Sequence, residues 1–402
     1  MKKSLIALSI ALSTQALAIP METRQQYMNE FSLVKFMYPS EQASWYWQNL
    51  EQVLPSAKVK RAGEVKPLAR DLMDPKRVLD TRFNGARLGD LLTGDNPSVN
   101  AIMVVKNGKV VFEHFNMPYH TQHVWMSNAK AIAGLLVAML EAEGKIDVRK
   151  PMKTYLPELD GKDWGEVSVL DVLNMQSGID AEENDAARSN PNSHITKLFF
   201  SETGEAPNYY DTLVNIPRKG EPGKAFEYSS ANTQMLGLLI TRVENKTLSE
   251  VFEERVWSKA GMTSDAYFTL TPDGFEVVHG LLSSNTEDMA RFAMLFTDSW
   301  KATAEQPVIS KALLETIRGS VTPGVYTVSE ASGQFEALAD DLPLGGSYQF
   351  DAIWEDGDMF KGGMRGQGIY ISPDKDTTVV WFSNRIEKHN VSGYVRNLVK
   401  SL

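Results

Sequence analysis

The chain has 402 residues, 43% of them apolar, with a formal net charge of −10 and a pI near 5.3. That charge argues against nucleic acid or an anionic membrane surface as a partner. Cysteine is absent, which excludes disulfides, thiol catalysis, thiolate metal sites and lipid attachment through sulfur. The core must therefore hold the fold by itself, which a chain of this length does readily.

The N-terminus reads as a secretory signal. Lys2 and Lys3 precede an apolar run over 5–12, and Ala16-Leu17-Ala18 has the small-x-small pattern of a cleavage site after Ala18. The run is too short for a stable membrane anchor, so a periplasmic or secreted location is expected. Residues 19–402 form the mature domain. Residues 22–54 are aromatic-rich and read as helix-containing packing material, although Trp45-Tyr46-Trp47 fits neither a helical nor a strand period. Residues 56–80 are basic and irregular, and read as a surface crossing.

Regular elements follow. Two β-prone runs, 101–105 and 110–114, flank Asn107-Gly108, a pair that tolerates the positive φ of a tight turn. A helix is expected over about 128–143, with Leu135, Leu136, Met139 and Leu140 as its apolar face and Gly144 at its end. From about 145 to 300 the pattern is mostly helical, with caps such as Ser168 and Asn285. Strands return at 368–371 and 377–382, and a last amphipathic helix covers about 391–402. The expectation is an α+β fold with one antiparallel sheet built from both chain ends and flanked by helices (about 19–145 and 335–402). A mostly helical lobe (about 146–334) completes it, with a site in the cleft between.

Three segments carry chemistry. A serine hydroxyl needs a base beside it to act as nucleophile, and Ser127-Asn128-Ala129-Lys130 supplies one, because residues i and i+3 share a helix face. Burial is needed to lower the lysine pKa, with Trp125 and Met126 as the nearest apolar neighbours. The same spacing occurs at Ser32–Lys35 and Ser372–Lys375, so spacing alone does not choose. The second segment, Tyr228-Ser229-Ser230, stands at the mouth of an apolar helix, where a phenol can shuttle a proton. The third, Lys361-Gly362-Gly363-Met364-Arg365-Gly366, lets backbone approach a substrate and offers an N–H to pair with that of Ser127 in an oxyanion hole.

In this order the segments resemble the serine β-lactamase and penicillin-binding superfamily. The class C-like branch, with its esterases and 6-aminohexanoate-dimer hydrolases, is the nearest in pattern. Further segments similar to that branch are Val105-Lys106-Asn107-Gly108-Lys109-Val110-Val111-Phe112-Glu113, Tyr155-Leu156-Pro157-Glu158-Leu159 and Asp171-Val172-Leu173-Asn174-Met175-Gln176-Ser177-Gly178. The resemblance implies a β-lactamase/DD-peptidase-like fold with Ser127 as acylated nucleophile, Lys130 as base and Tyr228 as second proton-transfer residue. It also implies an oxyanion hole from the amides of Ser127 and Met364, and substrate contacts from Ser230, Lys361, Gly363 and Arg365. Ser230 stands where β-lactamases usually carry asparagine, and Gly362 lacks a hydroxyl that helps bind penicillin carboxylates.

The expected activity is hydrolysis of a small-molecule amide or ester, without cofactor or metal. Alternatives are a D-Ala peptidase or β-lactamase, and a non-catalytic binding protein of the same fold. His120 and His123 have ligand-like spacing but no carboxylate pair nearby. The acidic loop 180–185 reads either as a selector of cationic substrates or, more simply, as a solvated surface loop.

Overall fold

The computed structural model describes residues 19–325, 337–384 and 390–402; residues 1–18, read above as a signal peptide, lie outside them. Eight strands form the main sheet, in the spatial order Gly345–Ser347, Phe350–Ile353, Met359–Gly363, Gln367–Ser372, Thr377–Ser383, Val99–Lys106, Lys109–Phe115 and Ala69–Arg70. All neighbours are antiparallel except the last pair. The two ends of the chain meet inside this sheet, where Thr377 lies opposite Lys106 and Phe382 opposite Ala101. The hairpin turns at Asn107 (φ 49°) and Gly108 (φ 72°).

Both faces of the sheet are covered, which explains its nearly continuous apolar strands. Ala101, Met103, Val105, Ile369, Ile371, Val380 and Phe382 face the larger core, shared with the helices Lys130–Ala142 and Thr286–Met294. The alternating residues Ile102, Val104, Tyr370, Val379 and Trp381 face a second core with the helices Leu88–Thr93 and Val391–Ser401. The helix Lys130–Ala142 is buried from Lys130 to Leu140, on all sides rather than along one apolar face. It lies between the sheet and the helix Ser230–Glu244 of the helical lobe.

Three expectations need correction. Residues 56–80 are not merely a surface crossing: they hold the strands Ser56–Val59 and Ala69–Arg70 and the helix Pro75–Leu79, with Val59, Leu68 and Val78 buried. Trp45-Tyr46-Trp47 lies in the helix Glu41–Gln48, capped by Ser40, where Tyr46 and Trp47 point inward because the arm folds on itself as well as on the domain. A second, four-stranded sheet (Ser56–Val59, Ala266–Thr269, Leu282–Ser284, His123–Val124) inserts strands into the stretch read as helical.

Close packing of the central helix makes a test. A Cβ at Gly134 would lie 1.9 Å from the Tyr348 carbonyl oxygen. Alanine in an ordinary helix interior gains about 1 kcal/mol over glycine. Gly134→Ala is expected instead to cost about 2 kcal/mol or more by overpacking, read as a lower urea midpoint with unchanged m-value.

Candidate active site

The nucleophile segment is held by backbone pairing on one side and strained at its turn. The strand His123–Val124 pairs with Leu282–Ser284, and Trp125 extends the ladder by donating its N–H to the Leu282 carbonyl at 2.7 Å. The Trp125 indole N–H donates to Ser284 Oγ at 2.8 Å. Met126 then adopts φ 50°, a left-handed conformation that costs a non-glycine residue about 1 kcal/mol or more. After this reversal the short turn Met126–Ala129 runs into the helix Lys130–Ala142, and Ser127 is half-exposed between buried neighbours.

Lys130 is completely buried, and its Nζ has three partners: Ser127 Oγ at 3.1 Å, Ser230 Oγ at 2.9 Å and the His279 carbonyl at 2.9 Å. An ammonium donates to all three. A neutral amine has two protons and one lone pair, which fit the carbonyl, Ser230 and an incoming Ser127 proton in turn. Burial, opposed by Glu183, Asp351 and Glu202 and helped by Lys361, lowers its pKa to about 7.

Tyr228 lies between two lysines, with Lys130 Nζ 5.2 Å and Lys361 Nζ 4.8 Å from its ring centre. Its hydroxyl hydrogen-bonds Ser127 and accepts from Lys361 at 3.2 Å. Burial, then Asp351 and Glu183, push its pKa well above 10, so it stays a phenol at neutral pH. Lys361 is fully buried and ion-paired with Asp351 at 2.6 Å; burial lowers its pKa against the pull of that carboxylate. The other Asp351 oxygen accepts from the Gly362 N–H at 2.8 Å. Asp351 was missed in the sequence, although an aspartate inside Phe350-Asp351-Ala352-Ile353 is the signal of a buried, paired charge.

The acidic loop is solvated only at its ends, where Asp180 and Asp185 are exposed. Ala181, Glu182 and Glu183 are buried. Glu182 pairs with Lys219 at 2.8 Å. Glu183 accepts from the Ser230 N–H at 2.6 Å and from Arg188 at 3.0 Å. Burial alone would raise Glu183, but Arg188, Lys130 and the Ser230 hydrogen bond hold it at about 2. Behind Lys130, His279 Nε2 meets Glu202 at 2.8 Å, which fixes the ring beside the carbonyl that Lys130 uses.

The glycine-rich strand ends against the nucleophile turn. A Cβ on Gly363 would lie 3.0 Å from both Asn128 Nδ2 and the Trp125 carbonyl oxygen, and 3.1 Å from Met126 Cβ. Met364 follows in a short turn, and its side chain packs on the N-terminal cluster that holds Met126. Arg365 (φ 69°) donates to the Met37 carbonyl. Ser230 and Lys361, expected to contact substrate, are both buried and bonded to Lys130 and to Asp351 with Tyr228. The rival Ser-x-x-Lys matches have other work. Ser32 caps the helix Leu33–Met37 while Lys35 pairs with Glu30, and Lys375 caps the last helix through the carbonyls of Val399 and Lys400. His123 is buried, stacked on Phe382, with its Nδ1 bonded to the Val124 carbonyl.

A family model described as Beta-lactamase matches residues 89–397. The 6-aminohexanoate-dimer hydrolase of Paenarthrobacter ureafaciens is 27% identical over 356 residues, covering 85% of each chain. Among solved structures, a Bacillus anthracis protein provisionally named a 6-aminohexanoate-dimer hydrolase superposes with a TM-score of 0.71 at 23% identity, over 90% of this chain and 92% of that one. EstA from Arthrobacter nitroguajacolicus superposes at 0.57 and 16% identity, over 78% and 95%.

The lysine makes a pH prediction with a definite sign. Only the neutral amine accepts the Ser127 proton, so reaction of Ser127 with a fluorophosphonate is expected to rise with pH and level off, with a midpoint near 7. Glu183 favours the ammonium, so Glu183→Gln is expected to move that midpoint down. Lys130→Met is expected to slow labelling by about 10²- to 10⁴-fold with the fold intact by circular dichroism.

Proposed function

This chain belongs to the Beta-lactamase family, and from that premise we propose that it is an exported serine hydrolase cleaving a small amide or ester through an acyl-enzyme on Ser127. The observation that carries the reading is the three-point contact of a fully buried Lys130, lowered to about 7, with the Ser127 hydroxyl among its partners. Neutral Lys130 takes the proton as Ser127 Oγ bonds to the carbonyl carbon. The oxyanion is received by the amides of Ser127 and Met364. As the tetrahedral species collapses, the Tyr228 phenol gives its proton to the departing nitrogen or oxygen and is recharged by the Lys130 ammonium. Water then repeats the sequence on the acyl-enzyme and returns Ser127.

Amide or ester substrates are favoured over penicillins by position 362, which has no hydroxyl and whose N–H is engaged by Asp351. The name of the Paenarthrobacter relative, a 6-aminohexanoate-dimer hydrolase, points the same way. A protein that only binds a ligand has no use for a lysine kept near neutrality, which argues against the non-catalytic alternative. Export rests on residues 1–18, and N-terminal sequencing of the mature protein should begin at Ile19.

Mass spectrometry of the fluorophosphonate-treated protein should find the adduct on Ser127 and none in Ser127→Ala; an unlabelled wild type sinks the proposal. Rates on p-nitrophenyl esters, a linear amide and nitrocefin then rank the substrates, with nitrocefin expected last. Tyr228→Phe should slow the amide by about 10²-fold or more and the p-nitrophenyl ester far less, because p-nitrophenolate leaves without a proton whereas an amine cannot.

A further inference from the structure

We propose that Gln349 is a positioning residue, which from a strained turn fixes the spacing between the helices that bring Lys130 and Ser230 together. This deepens the hydrolase reading and rests on it.

Among the described residues, three hairpins reverse through two residues that both have positive φ. Two of them use Asn84-Gly85 (49° and 80°) and Asn107-Gly108 (49° and 72°). Asparagine followed by glycine accepts this conformation at the least cost. The third hairpin joins the strands Gly345–Ser347 and Phe350–Ile353, and its turn is Tyr348 (45°) and Gln349 (72°). Each left-handed non-glycine residue costs about 1 kcal/mol or more, so contacts outside the turn must hold it. Both residues are buried.

Those contacts reach three elements of the site. Gln349 Nε2 donates to the carbonyls of Val172 at 3.2 Å and Leu173 at 3.0 Å, at the end of the helix Val169–Leu173. Its Oε1 accepts from Thr233 Oγ1 at 2.6 Å. Thr233 stands three residues after Ser230 on the same face of the helix Ser230–Glu244, and Ser230 Oγ meets Lys130 Nζ at 2.9 Å. On the other side, the Tyr348 carbonyl closes on Gly134, four residues after Lys130, and the Tyr348 hydroxyl donates to Glu141 of the same helix. Two residues beyond Gln349, the strand carries Asp351, the partner of Lys361. One turn therefore touches both helices about one turn behind the residues that meet in the site. An asparagine-glycine turn would relax the backbone and lose the bridge to Thr233, because glycine has no side chain. Slack between the two helices would admit water to Lys130 and favour its ammonium.

The test reads the pH midpoint of fluorophosphonate labelling at Ser127 in variants that change no charge. Gln349→Met keeps the length of the side chain and removes its hydrogen bonds, and Thr233→Val removes the partner hydroxyl. The ionisable groups around Lys130 (Glu183, Lys361, Asp351, Glu202, Tyr228 and His279) stay in place in both. Each variant is expected to raise the midpoint by about one unit, which makes labelling near pH 6 about tenfold slower. The double variant is expected to move it no further than the larger single change, because both break one contact. Val395→Ala, a cavity in the second core, is expected to lower the urea midpoint and leave the labelling midpoint where it was. If Gln349→Met does not fold, Thr233→Val carries the test alone. A midpoint unmoved or lowered in Thr233→Val, additive shifts in the double variant, or an equal shift in Val395→Ala overturns the inference. A wild type that does not label defeats the hydrolase reading itself, whereas a labelled wild type with unmoved variants defeats only the role of Gln349.

Discussion

The site depends on the burial of one amine. Lowering Lys130 from 10.5 to about 7 corresponds to roughly 5 kcal/mol of bias against the ammonium. That bias is a large share of the net stability of an ordinary domain. It is sustained by the helix Lys130–Ala142 being enclosed on every side through Leu140, so that no rotation of the helix can return the amine to water. Gly134, which lets the backbone of Tyr348 close on the helix, and the contact with the helix Ser230–Glu244 belong to the same enclosure. The packing of this region is thus part of the chemistry: looser packing admits water, raises the lysine pKa and removes the base.

Neighbouring charges decide which group holds the proton. Glu183 and Asp351 both oppose the lowering of Lys130 and both disfavour a Tyr228 phenolate, while Lys361 opposes a second ammonium. Exchanging a proton between Lys130 and Tyr228 therefore runs uphill if it starts from the phenol. In the proposed reaction this makes the amine the resting base, and the phenol the group that relays a proton toward the leaving group. Asp351 anchors this arrangement twice, once through Lys361 and once through the Gly362 N–H, which ties the lysines and Tyr228 to the strand Met359–Gly363.

Much of this was legible in the sequence, for reasons that differ by element. The hairpin at Asn107-Gly108, the strands near 368–371 and 377–382 and the last helix were readable because period and turn chemistry are local. Ser127, Lys130 and Tyr228 were readable because the chemistry demands those residue types, and the order of the three segments singled out one Ser-x-x-Lys among three. Asp351 and Glu183 were not, since their burial depends on the fold bringing Asp351 to Lys361 on the neighbouring strand, and Glu183 to Arg188 and to the Ser230 N–H 47 residues away. The second sheet was hidden for a similar reason. Its strands Ser56–Val59 and Ala266–Thr269 are short, and their pairing partners lie some two hundred residues apart.

The N-terminal arm shows how such long-range contacts reach the site. The family match begins at residue 89, yet residues before it pack on three of the segments that frame Ser127. Phe36, Tyr46, Trp47 and Leu50 form one cluster with Val124 and Met126 before the nucleophile, and with Val277 and Leu281 around His279. Met364 packs on the same cluster, and Arg365 reaches the Met37 carbonyl. The left-handed turn at Met126 is strained by itself and needs surroundings that over-determine it; the arm supplies part of them. Ser127, Lys130, Tyr228 and the glycine-rich strand thus lie within the family match, while the arm packs against the Met126 turn and against Met364 and Arg365 from behind.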